Sequence, residues 1–476
     1  MEGIADHLYL LINISLSEPN QKEKVISHNN FRGTNMPLSG GDADKVGNRY
    51  EDWWTVYCMI DVMDEKAESI RLEPQGVAGF EFWLHKDGFH EYHQVKRQHG
   101  KSGRWKLSEL ENKKLHILSN FWSRLQDPQA KCVFVSTHSA YQLDELSYRA
   151  SGSASWNEFN QNFLTSKDSQ DAFNELCQRW SKWSEKQTYE ALKRICVKTI
   201  SEDILRDYVE YRLNALVDAV PENAATCLIQ YAHDEIHHEL FADNIWDHLQ
   251  EKGFQRRHWN NDPHVWAMID KQNNRYLSRL QQEIIIPEQI IPRDEVQTIL
   301  PDLISVDGKR GVMISGEAGI GKSNVILQVI QGLQENNLPL LAFRIDTLTA
   351  VTSPKELGRQ LDLPESPACV LASIANGRKC VLVIDQLDAV SEISGRTPYF
   401  FECIYKIITE AQAHRNMRIL LACRKFDLNN DYRFRQLLNE EHAIAHVSIA
   451  RLASERVREI VLQLGVDATR IQTGQT

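Results

Sequence analysis

No apolar run in the sequence approaches the ~20 residues that a membrane-spanning helix needs, so no span is expected. Basic residues are in deficit: 54 lysines and arginines stand against 65 acids, a formal charge of −11. That balance excludes a chain coating nucleic acid over its whole surface, but not one basic groove on an acidic body. Met1 to Leu16 carry acids at Glu2 and Asp6 and lack a basic n-region, so a secretory signal is not expected. The nine cysteines form no CxxC pair, and several, such as Cys380 and Cys423, sit inside apolar runs. They are expected to be reduced, buried thiols in a cytoplasmic protein. Neither an internal repeat nor a low-complexity segment is present. What remains is ordinary globular composition: 476 residues, 42% hydrophobic and 25% charged. At about 150 residues per domain, roughly three domains are expected.

The pattern changes along the chain. Tyr50, Trp53, Trp54, Tyr57 and Ile60 recur at helical spacing within 45–63. Strands are expected at 70–72, 79–84, 91–98 and 132–136, with Lys86-Asp87-Gly88 as a hairpin turn. Residues 168–270 read as helix after helix. A proline-spaced stretch over 286–293 reads as a linker. Beyond it, strands expected at 312–315, 340–344, 380–385, 419–423 and 443–449 alternate with helices, the pattern of a parallel sheet covered on both faces. The fold class is α/β multidomain: an amino-terminal domain over 1–215, a helical linker over 216–285 and a parallel αβα sandwich over 286–476.

The sharpest signal is Gly316-Glu317-Ala318-Gly319-Ile320-Gly321-Lys322-Ser323, a full GxxxxGK[ST] match between an apolar strand and a helix. Gly316, Gly319 and Gly321 let backbone N–H groups turn toward phosphate oxygens. Lys322 neutralises the β and γ phosphates, and the Ser323 hydroxyl ligates Mg²⁺. The expected cofactor is ATP with Mg²⁺. Val381–Ile384 then lead into Asp385, where an ATPase places the acid of its Mg²⁺ shell, and Asp388 lies three residues on. A strand-ending aspartate can equally cap a helix. Arg424 closes the next apolar strand at the height of a γ-phosphate, and a surface ion pair is the alternative.

These residues resemble the STAND class of NTPases, including NACHT-type proteins: "LVIDQLDAV" for the Walker B segment, "LLACR" for the strand-end sensor arginine and "IIPRDE" for the introducing segment. The resemblance implies that Arg293 reaches the nucleotide. It also implies a switch, in which ATP stabilises an open oligomer and hydrolysis closes it. Residues 452–465 resemble the first lid helix. The winged-helix region and repeat-rich sensor of the class are not found after it, and a truncated form is expected.

A second constellation lies near the front. Glu81 and, after the turn, Gln94 and Lys96 fall on neighbouring strands, with 94 and 96 on one face. A carboxylate and an amide oxygen can hold one hard divalent cation. A lysine beside them can orient water and balance charge on a phosphate. Glu51, on the preceding helix, can add a carboxylate, and Glu73 is a rival acid. Residues 86–106 hold six lysines and arginines (86, 96, 97, 101, 104, 106) against two acids, interleaved with His90, His93, His99 and Trp105. That suits a phosphate-backbone track, and a solvated hairpin face is the alternative.

This pattern resembles the PD-(D/E)xK nucleases in their glutamine version, and more closely the double-stranded DNA endonuclease domains of bacterial anti-phage proteins. The matching segments are "GNRYE", "GFEFWL", "EYHQVKRQ" and "FVSTHSA". The resemblance implies a restriction-endonuclease-like mixed sheet, Mg²⁺ on Glu81 and Gln94, and catalysis by Glu51, Glu81, Gln94 and Lys96. Glu81 stands where the family usually has aspartate, one methylene longer.

His233-Asp234-Glu235-Ile236-His237-His238-Glu239 spaces two histidines four apart, a zinc-like pattern. Asp234 stands where a zincin needs glutamate, so a charged surface helix is expected instead. The whole chain resembles the antiviral STAND family of bacterial defence proteins. That implies an ATP-switched, oligomerisation-activated endonuclease acting on double-stranded DNA, assembling as a tetramer and triggered by a phage protein, with no membrane partner. An assembly protein that grips nucleic acid or a partner without cleavage is the alternative, and a DNA-translocating motor ranks third.

Overall fold

The structure is a computed structural model. It describes residues 40–453 apart from 75, 77–78, 98–102, 284–290, 306–307, 396 and 440–442, together with residue 457. His99, Lys101, most of the 286–293 stretch and almost all of the expected lid helix lie outside the described residues.

The first body is a mixed six-stranded sheet in the order β5-β4-β3-β2-β1-β6. Its strands are β1 (Ser69–Leu72), β2 (Phe82–Lys86), β3 (Phe89–Lys96), β4 (Ala130–Ser136), β5 (Ile195–Thr199) and β6 (Glu239–Phe241). β2 and β3 form the expected hairpin. Asp87 (φ 52°) and Gly88 (φ 73°) are both left-handed, the geometry whose twist matches flanking strands and which an Asp-Gly pair adopts readily. β3, β4 and β5 then run parallel. On one face lies α1 (Gly40–Met63), packed on β3 and on α2 (Glu202–Leu216) and α3 (Pro221–Asp234). Every residue from Val56 to Met63 is buried, the mark of a helix enclosed on all sides.

The second body is a wholly parallel five-stranded sheet in the order β11-β7-β10-β9-β8. Its strands are β7 (Gly311–Gly316), β8 (Leu340–Arg344), β9 (Cys380–Asp385), β10 (Met417–Arg424) and β11 (Ile444–Ser448). β7 to β9 are buried along their whole length, as strands covered on both faces must be. Pairing aligns Arg424 with Gly316 and Arg344 with Asp385, so the functional termini share the carboxyl edge.

The 216–285 segment contributes to both bodies. Its β6 pairs with β1 at the edge of the first sheet, while α4 (Pro263–Glu283) packs on β8 of the second. Its apolar residues belong to two cores, with Leu240 and Ile245 in the first and Tyr276 and Leu280 in the second. The long helical reading missed β6 because three residues show no period.

A buried charge network joins the bodies. Asp61 of α1 is fully buried and meets Arg212 of α2 at 2.8 Å and Arg415, just before β10, at 3.0 Å. Neither carboxylate oxygen receives an aligned hydrogen bond, so the contact is mainly Coulombic. Arg212 also reaches Asp64 at 3.1 Å and lies over the Tyr57 ring, as Arg415 does. Burial pushes the Asp61 carboxyl up. The two guanidiniums outweigh it and hold the group well below the usual carboxylate range.

Candidate functional site

Glu51, Glu81, Gln94 and Lys96 come together from three elements. Glu81 stands one residue before β2, where its N–H donates to the His93 carbonyl (3.1 Å) and extends the ladder. Its Oε2 accepts from the Val95 N–H at 2.8 Å, and its Oε1 accepts from Lys96 Nζ. Lys96 Nζ also donates to Glu51 Oε1 at 3.3 Å. Gln94 is 2% exposed, and its Oε1 is buried with no hydrogen-bond partner.

The electrostatics follow from burial around two acids and one base. Burial pushes the Glu81 carboxyl up to about 7, helped by Glu51 and opposed by Lys96. Glu51 is raised for the same first reason, with Lys96 opposing. Burial works against the Lys96 ammonium, yet the two carboxylates hold its pKa above the ordinary value. Glu73, Phe80, Lys114, Leu115 and His237 complete a cleft of about 500 Å³ around these four residues.

Among the described residues no group of three or more His, Cys, Asp and Glu is set to hold a metal. The front donors are instead two carboxylates and an amide, with Lys96 lodged between the carboxylates. The orphaned oxygen of Gln94, a residue that lines the same cleft as Glu81, fits an oxygen-seeking divalent cation.

The described basic residues of 86–106 are spread along the hairpin. Lys86 ends the hairpin and Lys96 ends β3, roughly 23 Å apart at strand rise. Arg97 pairs with Glu202 at 3.3 Å. His93 is buried, accepts the Trp54 indole N–H at 3.1 Å and is pushed down to about 3 by burial, so it stays neutral. The two spaced histidines do not share a helix either, since α3 ends at Asp234. His233 Nε2 meets Asp52 at 2.7 Å, and His237 turns onto the front cleft.

In the second body, the loop from Gly316 to Gly321 leads into α5 (Lys322–Glu335). Gly319 (φ 74°) and Gly321 (φ 100°) hold conformations that side chains disfavour. Lys322 Nζ donates to the Gly316 and Glu317 carbonyls, both at 3.0 Å. Burial lowers its pKa, opposed by Asp388 and Asp385. Ser323 follows on the first turn. Asp385, 3% exposed, accepts from the Tyr276 hydroxyl of α4 at 3.1 Å, and burial pushes it up to about 6. Asp388 pairs with Arg424 at 3.0 Å, while its Oδ1 is buried without a hydrogen-bond partner. Arg293 donates to Glu295 and to the Ala450 carbonyl (2.6 Å), and a Cβ on Gly321 would lie 3.7 Å from its guanidinium. The loop, the orphaned Asp388 oxygen and the strand-end acid fit a nucleotide with a hydrated cation.

Sequence reading missed Lys114, His237, Tyr276 and Arg344. Tyr276 and Arg344 flank Asp385, yet each lies far from the motif in sequence and carries no spacing signal.

No protein-family model matches the chain, and no curated protein matches it. Among solved structures it is similar to AMPPCP-bound DnaA from Aquifex aeolicus, at 15% identity over 38% of this chain and 51% of that chain (TM-score 0.27). It is also similar to a Walker-type ATPase of Pyrococcus abyssi, at 13% identity over 37% and 59% (TM-score 0.27). The Cap4 SAVED/CARF-domain containing receptor of Moraxella osloensis shares 10% identity over 79% of this chain and 70% of that one (TM-score 0.28). The chain thus spans about half of the DnaA chain. At these TM-scores the likenesses carry no argument of their own. The second body is a P-loop nucleotide-binding fold by its glycine loop, its strand order and the register of its carboxyl edge.

Proposed function

We propose that this chain is an antiviral effector: an ATP-switched, metal-dependent endonuclease of double-stranded DNA, activated by self-association. What supports the reading is the meeting of Glu51, Glu81, Gln94 and Lys96, distant in sequence, in one cleft. A bound divalent cation supplies a Lewis acid and a water of lowered pKa. Of the chain's own groups, Glu81 and Gln94 hold it, Glu51 adds a carboxylate at the rim, and Lys96 balances charge growing on the phosphate. ATP and Mg²⁺ bind at Lys322, Ser323, Asp385 and Asp388, with Arg424 and Arg293 reading the phosphates. Assembly as a tetramer raises the effective concentration of the front sites and lets both strands be cut. A phage protein is the trigger where a sensor is present, and the cytoplasm is the setting. No helix among the described residues is long and apolar enough to cross a membrane.

The test is plasmid cleavage with Mg²⁺ and ATP by the chain and its Lys96→Ala variant. Cutting by the parent and none by a folded variant is expected. Equal cutting by both would reassign the site. No cutting by either, with ATP-dependent assembly intact, would favour a gripping module.

A further inference from the structure

We infer that His237 is a further catalytic residue of the front cleft, orienting the water that attacks the phosphodiester. The inference rests on the endonuclease reading.

Four observations converge on this side chain. His237 lines the same cleft as Glu51, Glu81, Gln94 and Lys96. It has φ 72°, a left-handed conformation that residues other than glycine disfavour. Its neighbour across the strand edge, Glu73, is also left-handed (φ 34°). Strain of this kind persists where surrounding structure imposes it, and it gathers at functional sites. Here the backbone imposes it: the His237 N–H donates to the Leu72 carbonyl (3.0 Å) and the Leu72 N–H to the His238 carbonyl (3.3 Å). Glycine would fit position 237 without strain, and the chain places an imidazole there.

The ring is then fixed. His237 Nδ1 lies 2.5 Å from the Glu73 carbonyl oxygen. A carbonyl only accepts, so Nδ1 carries the proton. In the neutral ring Nε2 is left as an acceptor. An acceptor cannot bind a phosphate oxygen, so at this rim its partner is a donor; Lys114 is one such donor in the same cleft, and water is the donor that the reaction brings. In the step, the water oxygen bonds to phosphorus while the bond to one deoxyribose oxygen breaks. One water proton reaches that alcohol by way of solvent, and the other leaves to solvent from the phosphate monoester. Nε2 holds the water's lone pair toward phosphorus and takes no proton itself. The charged groups around it are Glu51, Glu73 and Glu81 with Lys96 and Lys114.

The experiment measures steady-state plasmid cleavage with Mg²⁺ and ATP for the parent, Lys96→Ala, His237→Gly and His237→Asn, each with and without added imidazole. His237→Gly relieves the backbone, so it should unfold no earlier than the parent. It should lose about 100-fold in kcat, the scale of a misplaced reactant, with KM for DNA unchanged. Imidazole should restore part of that loss in His237→Gly, which leaves a hole, and none in His237→Asn. A raised KM at parental kcat would make His237 a phosphate contact instead, and parental kinetics in both variants would also overturn the inference. A parent that does not cut, or cuts no better than Lys96→Ala, would sink the endonuclease reading itself.

Discussion

The two candidate sites each hold a lysine, but they occupy it in opposite ways. At the rear, Lys322 is engaged by two backbone carbonyls of its own loop. At the front, Lys96 is clamped by two carboxylates whose charges burial makes costly. Carbonyl bonds of the loop can be traded directly for phosphate oxygens. A divalent cation at the front would have to compete with the Lys96 ammonium for the same carboxylates. The rear lysine is thus held by neutral carbonyls and the front lysine by its own counter-charges.

The sharpest way to break this comparison is at the front. Glu81→Ala should abolish cutting, a loss of about 100-fold or more, while ATP affinity measured by calorimetry stays at the parental value. Residual cleavage near the parental rate would show that the clamp is only structural.

Next in size is the network between the bodies. Removing one partner of a buried ion pair costs about 3–5 kcal/mol, so Asp61→Ala should show that loss in denaturant unfolding. The pH dependence has a definite sign. The folded Asp61 value lies below the unfolded one, so its contribution is full above the ordinary carboxylate value near 3.9. It is lost as pH falls from there through the folded value. Asp61→Asn should flatten that acid limb. An unchanged limb would mean that the arginines do not hold the carboxylate charged.

At the rear, Lys322→Ala should weaken ATP binding by about 10- to 100-fold, the range of a charge-assisted hydrogen bond, without altering metal binding at the front. Equal weakening at both sites would show that they are not separable. The smallest effect is expected at the surface. Arg179 pairs with Glu175 at 2.6 Å on the outer face of the helix over 167–179, and Arg179→Ala should cost no more than about 0.5 kcal/mol. A larger loss would undercut the contrast drawn with Asp61.

The same contrast explains what was legible in the sequence. The rear site is eight consecutive residues between a strand and a helix, and chain order carries its geometry. Asp385 and Arg424 were readable because each ends an apolar strand, and parallel register brings strand ends to one edge. At the front only the pair 94 and 96 is local. Glu81 could be joined to it through the hairpin and Glu51 through the preceding helix, but His237 is brought in from much later in the chain, just before β6, a strand of three residues. Its histidine spacing suggested a helix because period alone cannot register that α3 stops at Asp234 and the chain turns back to pair with β1. Within the basic run over 86–106, Lys86 and Lys96 are near in sequence but lie at opposite ends of the hairpin, since distance along a strand is distance in space. The charged network around Asp61 carried no sequence signal, since burial is what gives those residues their partners.

The most direct measurement is anomalous diffraction from crystals of the chain grown with Mn²⁺ and a DNA duplex. The expected result is a peak held by oxygens of Glu81 and Gln94, with Lys96 released from Glu81 toward a phosphate. No peak there at Mn²⁺ concentrations that support cleavage, with Lys96 still bound to both carboxylates, would contradict it.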